Sequence, residues 1–142
     1  MSIKISKVNW ADAQAQLMAI RREVFIDEQG VPEHEEIDPK DPHCVHFLAT
    51  NETGKAVGTS RLLPGGQIGR MAVLQSERGT GLGAKLLLAA VEYALAKEYS
   101  DIFLHAQTQA IGFYARYGFV AEGPEFMDAG IPHRNMVYQK ND

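Results

Sequence analysis

Ile68-Gly69-Arg70-Met71-Ala72-Val73 is followed by the polar link Leu74-Gln75-Ser76-Glu77, by Arg78-Gly79-Thr80-Gly81-Leu82-Gly83, and by an apolar run from Ala84 to Ala96. This stretch, Ile68 to Glu98, reads as a strand, a glycine-rich turn and a long helix. The first N–H groups of a helix lack intrahelical partners, and the macrodipole puts partial positive charge on them. Glycines without a Cβ let a large anion approach the backbone closely. The combination favours phosphate. The same glycines also suit a helix that merely starts tightly against a sheet.

Spacing excludes two phosphate loops. A Walker A sequence needs Gly, four residues, then Gly-Lys-Ser/Thr, whereas Gly83 is followed by Ala84 and Lys85 by Leu86. A dinucleotide fingerprint needs Gly-x-Gly-x-x-Gly, and from Gly79 or Gly81 the third glycine is missing. What remains is Arg-x-x-Gly-x-Gly, formed by Arg78, Gly81 and Gly83.

With 142 residues the chain is expected to form one domain, 1–142, able to bury a core without staples. Its 45% hydrophobic and 23% charged residues are those of a soluble globular protein. No run is apolar and long enough to span a bilayer, and no signal peptide is evident. Cys44 is the only cysteine, so there is no internal disulfide, which fits the cytoplasm. The formal charge of −4 argues against a nucleic-acid partner. That charge is uneven. Asp27 to Asp41 holds seven acids (Asp27, Glu28, Glu33, Glu35, Glu36, Asp38 and Asp41) against Lys40 alone, on a body with eleven acids and thirteen bases.

Periodicity places a strand over Ser2 to Val8 and an amphipathic helix from Trp10 to about Gln29, with Asn9 as its cap. An acidic, proline-bearing loop follows. Strands are expected at Val45–Thr50, Ala56–Leu63 and Ile68–Val73. A buried strand at 101–106 follows the crossover helix, so it lies parallel to Ile68–Val73. A short helix at Gln107–Tyr117, a strand beginning at Phe119 and broken at Gly123-Pro124, a turn at Gly130-Ile131-Pro132 and a strand around Met136–Tyr138 complete the chain. The order implies a mixed α/β sheet with helices on both faces. His43 and His46 would point to opposite sides of a strand, and no metal site is expected. Cys44 reads as a small residue at a strand edge, not a nucleophile.

A second motif is Ala110-Ile111-Gly112-Phe113-Tyr114-Ala115-Arg116-Tyr117-Gly118-Phe119. Together with the glycine loop it resembles the GNAT N-acetyltransferases, whose second motif runs Ala-x-x-Phe-Tyr-x-x-x-Gly-Phe. The runs Arg22 to Pro32 and Ala129 to Met136 look like the small bacterial YjcF/ElaA-type branch. The resemblance implies the GNAT fold, a mostly antiparallel sheet splayed between strands 4 and 5. It implies an acetyl-coenzyme A-dependent N-acetyltransferase acting on a primary amine of a small molecule. The alternatives are a protein-lysine acetyltransferase and a non-catalytic acyl-coenzyme A-binding module. A homodimer is compatible with the family.

By that resemblance, Arg78, Gly79, Thr80, Gly81, Leu82, Gly83 and Ala84 hold the pyrophosphate, and the pantetheine arm pairs with Met71, Ala72 and Val73. Gln107 stands where many members carry asparagine, and it is expected to contact the cofactor. A backbone N–H of Ala72 or Val73 would hold the oxyanion. Tyr114 would protonate the departing thiolate. Many members carry an acidic base on the fourth strand, where this chain has Gly69 and Arg70. The acceptor side and its general base are therefore sought among Glu28, Glu36, His105 and His133. The acidic segment is expected to draw in a protonated amine.

Overall fold

In a computed structural model, the chain is described over residues 3–36 and 38–139; Ser2, Ile37 and the side chain of Glu35 lie outside that description. Seven strands form one sheet: β1 (Lys4–Val8), β2 (Val45–Thr50), β3 (Ala56–Leu62), β4 (Gln67–Val73), β5 (Phe103–Gln107), β6 (Phe119–Asp128) and β7 (Ile131–Tyr138). Their spatial order is β1-β2-β3-β4-β5-β7-β6. Every neighbouring pair is antiparallel except β4 and β5. That parallel pair brackets α3 (Leu82–Ala96), the crossover helix.

The alternation of β3 shows how the helices are placed. Ser60 donates from Oγ to the Leu86 carbonyl at 3.1 Å, so the Gly58/Ser60 face meets α3. A Cβ on Gly58 would stand 2.8 Å from Leu86 Cδ1, which shows how closely the helix rides on the strand. The opposite face carries Arg61 toward Asp38 and Asp41, in the segment that follows α1 (Trp10–Arg21). Leu17 and Ile20 of α1 and Leu86, Leu87 and Ala90 of α3 are fully buried against the sheet. Asn9 caps α1 by accepting from the Asp12 N–H at 2.9 Å.

Several boundaries depart from the sequence reading. The first helix does not run as one α-helix to Gln29; from Arg22 to Glu28 it widens into a π-helix. The acidic loop contains one helical turn, α2 (Glu33–Glu36), and a 3₁₀ turn at Asp41–His43. The expected helix at Gln107–Tyr117 begins later. Gln107 ends β5, a 3₁₀ turn covers Thr108–Ala110, and α4 spans Ile111–Ala115. Gly123-Pro124 does not break β6. The strand absorbs them as an irregularity between Glu122 and Phe126, a position where a bulge tolerates proline. The β6–β7 turn is Ala129-Gly130, one residue before the expected site. Both residues have positive φ, +52° and +75°, as a two-residue hairpin of matching twist requires.

Candidate active site

The site begins with a flaw in β4. Arg61 of β3 faces Gly69, and Thr59 faces Ala72, so Arg70 and Met71 together oppose Ser60. Arg70 takes φ +45°, a conformation a branched-free but bulky residue adopts only under constraint. This bulge turns β4 away from β5. The two strands pair only at Gln67↔Phe103 and Ile68↔Leu104 and then diverge. Beyond that point the β5-facing edge of Met71–Val73 has no ladder partner, so it can receive an extended ligand.

A cleft of about 500 Å³ occupies the divergence. Met71, Gln107, Tyr114, Glu36, His105 and His133, all expected at the site, line it together. Gln67, Arg70 and Asp128 line it too, and the sequence had not marked them as site residues. Ala72, next to Met71 in β4, is buried and does not line it. Its position agrees with the rule that ligands of open α/β sheets lie beyond the carboxyl ends of the strands.

The glycine loop stands past the end of β4. Gly79 and Gly81 have φ +80° and +85°, which only glycine holds without strain, and a Cβ on either would enter open space. Gly81 caps α3 in the left-handed conformation, and neither a side-chain cap nor an acid occupies the first turn. The N–H groups of Leu82, Gly83 and Ala84 are therefore offered outward. Thr80 Oγ1 donates to the Glu77 carbonyl at 2.7 Å and tightens the loop. Arg78 is already engaged. Its Nε donates to the Val73 carbonyl at 3.0 Å, and its guanidinium pairs with Glu28 at 2.9 Å. Glu28 consequently tethers the π-helix to the loop and does not line the cleft.

Of the adjacent pair Phe113 and Tyr114, Tyr114 is the one that lines the cleft. Its ring meets Phe113 at 5.1 Å and Phe119 at 6.3 Å, while Phe113 turns toward Gly83 of α3. Burial pushes the Tyr114 hydroxyl up to about 12, so it stays protonated and can donate. On the opposite wall, Gln67 Nε2 lies 3.3 Å from His105 Nδ1. Partial burial lowers the proton affinity of His105. His133 is buried, with Nδ1 2.6 Å from the Ile131 carbonyl. Phe126 sits between the two imidazoles, edge-on to His105 at 5.1 Å and stacked on His133 at 5.9 Å.

The acidic segment is not a reservoir of free carboxylates, as the sequence reading expected. Arg21, 1% exposed, donates from Nε to Glu36 at 2.5 Å and from Nη1 and Nη2 to Asp41 at 3.0 and 3.1 Å. Arg61 holds Asp38 and Asp41, each at 2.9 Å. Arg70 reaches Glu36 at 3.4 Å and Asp38 at 3.8 Å. Burial opposes the Asp38 charge, but the Lys40 N–H and Arg61 together hold its carboxyl below the ordinary range. Glu33 pairs with Arg22. Glu36 thus lines the cleft with both oxygens facing guanidiniums, as an anchor between α1 and the β4 bulge. The sequence could not reveal this, because the three arginines lie on α1, β3 and β4. Among the described residues no group of three or more His, Cys, Asp or Glu is arranged to hold a metal ion. Cys44 donates to the Lys40 carbonyl at 3.2 Å, away from the cleft.

Comparison with known proteins agrees with this geometry. Residues 12–140 match the family model described as acetyltransferase (GNAT) domain. The uncharacterized N-acetyltransferase YjcF of Bacillus subtilis strain 168 is 39% identical over 121 residues, covering 83% of this chain and 86% of the relative. An acyl-CoA N-acyltransferase from Pseudomonas aeruginosa superposes with a TM-score of 0.87 at 30% identity, covering 97% of this chain and all of that one. Escherichia coli ElaA shares the fold, with a TM-score of 0.86 at 24% identity over 97% of this chain and 100% of its own. The chain belongs to the GNAT acetyltransferases, a family of acyl-coenzyme A-dependent acyltransferases.

Proposed function

We propose that this enzyme moves the acetyl group of acetyl-coenzyme A to a primary amine of a small molecule by direct attack, with Tyr114 as general acid. The observation that carries this reading is that Tyr114 lines the cleft together with Met71, where β4 has left the β5 ladder. The pyrophosphate is assigned to the N–H groups of Leu82, Gly83 and Ala84 and the loop glycines Gly79 and Gly81. The pantetheine arm extends along Met71 to Val73, and Gln107 contacts it where β5 ends. A backbone N–H of Ala72 or Val73 steadies the oxyanion.

Direct transfer needs a donor proton for the thiolate and an acceptor for the proton of the amine. A phenol held near 12 is protonated at every working pH and supplies the first. The wall of Gln67, His105, Asp128 and His133 faces the acceptor. A cleft of about 500 Å³ is of the size that encloses small ligands, which supports a small-molecule acceptor. With one cysteine and no described helix long and apolar enough to cross a membrane, we place the reaction in the cytoplasm.

The test is a mass-spectrometric screen of primary amines with purified enzyme and acetyl-coenzyme A. The expected result is a mass gain of one acetyl group on at least one small amine. Coenzyme A binding without transfer to any small amine or lysine peptide would identify a binding module instead. Transfer to lysine peptides alone would identify a protein acetyltransferase.

A further inference from the structure

Resting on the acetyl-transfer reading, we propose that His133 is the general base, taking the proton of the attacking amine through Nε2. The four groups considered from sequence are not equivalent in the fold. Glu28 is committed to Arg78 outside the cleft. Glu36 has one oxygen on Arg21 and the other facing Arg70. His105 Nδ1 receives the Gln67 amide, so its remaining nitrogen carries a proton and cannot accept one.

His133 differs from these three. A carbonyl can only accept, so the 2.6 Å contact with Ile131 puts the proton of the neutral ring on Nδ1. The lone pair is then on Nε2. Stacking on Phe126, with planes inclined by 22°, fixes the ring in the cleft wall. The groups sharing the cleft are His105 on β5, Asp128 on β6, Arg70 on β4, Glu36 on α2 and Tyr114 on α4. Arg70 is tied to Glu36 and Asp38. Asp128, the last residue of β6, makes no ion pair among the described contacts and lines the same cleft as His133.

The proton inventory closes. The acceptor enters as an ammonium, and one proton passes to Nε2. The amine nitrogen forms the C–N bond, and the C–S bond breaks. Tyr114 protonates the sulfur and recovers the second nitrogen proton as the amide forms. The imidazolium then returns its proton to solvent, so the net yield is amide, free thiol and one proton.

The experiment measures kcat/KM for the best amine among spermidine, glucosamine, lysine amide and phenethylamine across pH, with saturating acetyl-coenzyme A. Wild-type enzyme should lose rate as pH falls, because the imidazolium cannot accept a proton. His133→Gln should be slower by about 10²-fold or more near neutrality. Its deficit should narrow as pH rises toward the amine's own value, where the acceptor arrives neutral, and acetyl-coenzyme A affinity should not change. A deficit constant across pH, with the acidic limb retained, would show a structural role and overturn the proposal. So would retention of the limb in His133→Gln together with its loss in His105→Gln. If wild-type enzyme acetylates none of these four, the best amine of the wider screen takes their place; if that screen yields none, the acetyl-transfer reading fails and the proposal with it. Because His133 is buried, a measurement on unaltered protein stands beside the variant. In ¹⁵N-imidazole-labelled wild-type protein, the neutral His133 ring should show a protonated Nδ1 and a bare Nε2. The opposite tautomer would overturn the assignment.

Discussion

Replacing Arg21 by alanine should cost far more than replacing its neighbour Arg22. The Arg21 guanidinium is almost wholly buried, lies 5.5 Å from the Trp10 ring centre and gives hydrogen bonds to both Glu36 and Asp41. With Arg61 and Arg70 it supplies three positive charges to Glu36, Asp38 and Asp41. Removing it leaves three buried or half-buried carboxylates with two guanidiniums. Breaking a buried ion pair on one side costs about 3–5 kcal/mol, chiefly because the other charge stays behind. Arg22 pairs with Glu33, and both side chains are about half exposed, 51% and 53%. Such surface pairs contribute about 0–1 kcal/mol. With a urea slope of about 2 kcal/mol/M, the midpoint of Arg21→Ala should fall by roughly 1.5–2.5 M, and that of Arg22→Ala by less than about 0.5 M. Arg21→Lys should fall in between, since an ammonium keeps the charge but cannot span both acids. Equal midpoints for Arg21→Ala and Arg22→Ala would refute the claim that the acidic segment is a folded part of the core.

Gly81→Val should weaken acetyl-coenzyme A binding at least ~10-fold, or ~1.4 kcal/mol, since it strains a φ of +85° and fills the space left for the anion; calorimetry on the folded variant checks this, and unchanged affinity would move the pyrophosphate elsewhere. The chemical step should not decline on the alkaline side through the ordinary tyrosine value of 10, because Tyr114 is raised to about 12 and its acid form persists; a Tyr114-dependent fall in single-turnover rate below pH 10 would contradict the burial argument. Stability should decrease as pH drops below about 6.5, since burial lowers His46 and His105 from that value and only the unfolded chain protonates them readily. Thermal melts of wild type and His46→Gln check the sign: the variant's loss on acidification should be smaller, and an identical slope would exclude His46 as a source. Neutralising Glu33 to Gln should leave the acceptor KM and its salt response unchanged, because that acid is already paired with Arg22; a raised KM would restore the acidic segment as an amine lure.

The fold was legible where local signals and global topology agree. Ile68 to Val73, Val45 to Thr50 and Leu82 to Ala96 carry strand or helix patterns that packing reinforces, and their observed limits differ little from the expected ones. Gly123-Pro124 misled because proline opposes a ladder in general but is tolerated at a bulge, and only tertiary pairing decides which applies. The π-helical widening of Arg22–Glu28 leaves the apolar spacing of the first helix recognisable, so periodicity could not show it. The place of Tyr114 in the cleft wall and the glycine turn that opens α3 were legible because each belongs to a contiguous motif. Arg70 was not, since its importance lies in a positive φ and in acids more than thirty positions away. The acids of Asp27 to Asp41 looked solvated for the same reason: a charge run displays its own sign but not the arginines that the sheet brings to it.

Whether Tyr114 delivers the proton to the departing thiolate is decided by single-turnover acetyl transfer in Tyr114→Phe. The substitution keeps the ring packed against Phe113 and Phe119 and removes only the hydroxyl. A positioned general acid contributes about 10²–10⁴ in rate, equivalent to ~3–5 kcal/mol. The expected result is a fall of that size in the chemical step, with acetyl-coenzyme A affinity by calorimetry within about twofold of wild type, a difference of ~0.4 kcal/mol. A Tyr114→Phe enzyme that transfers acetyl at the wild-type rate while chemistry is rate-limiting would contradict it.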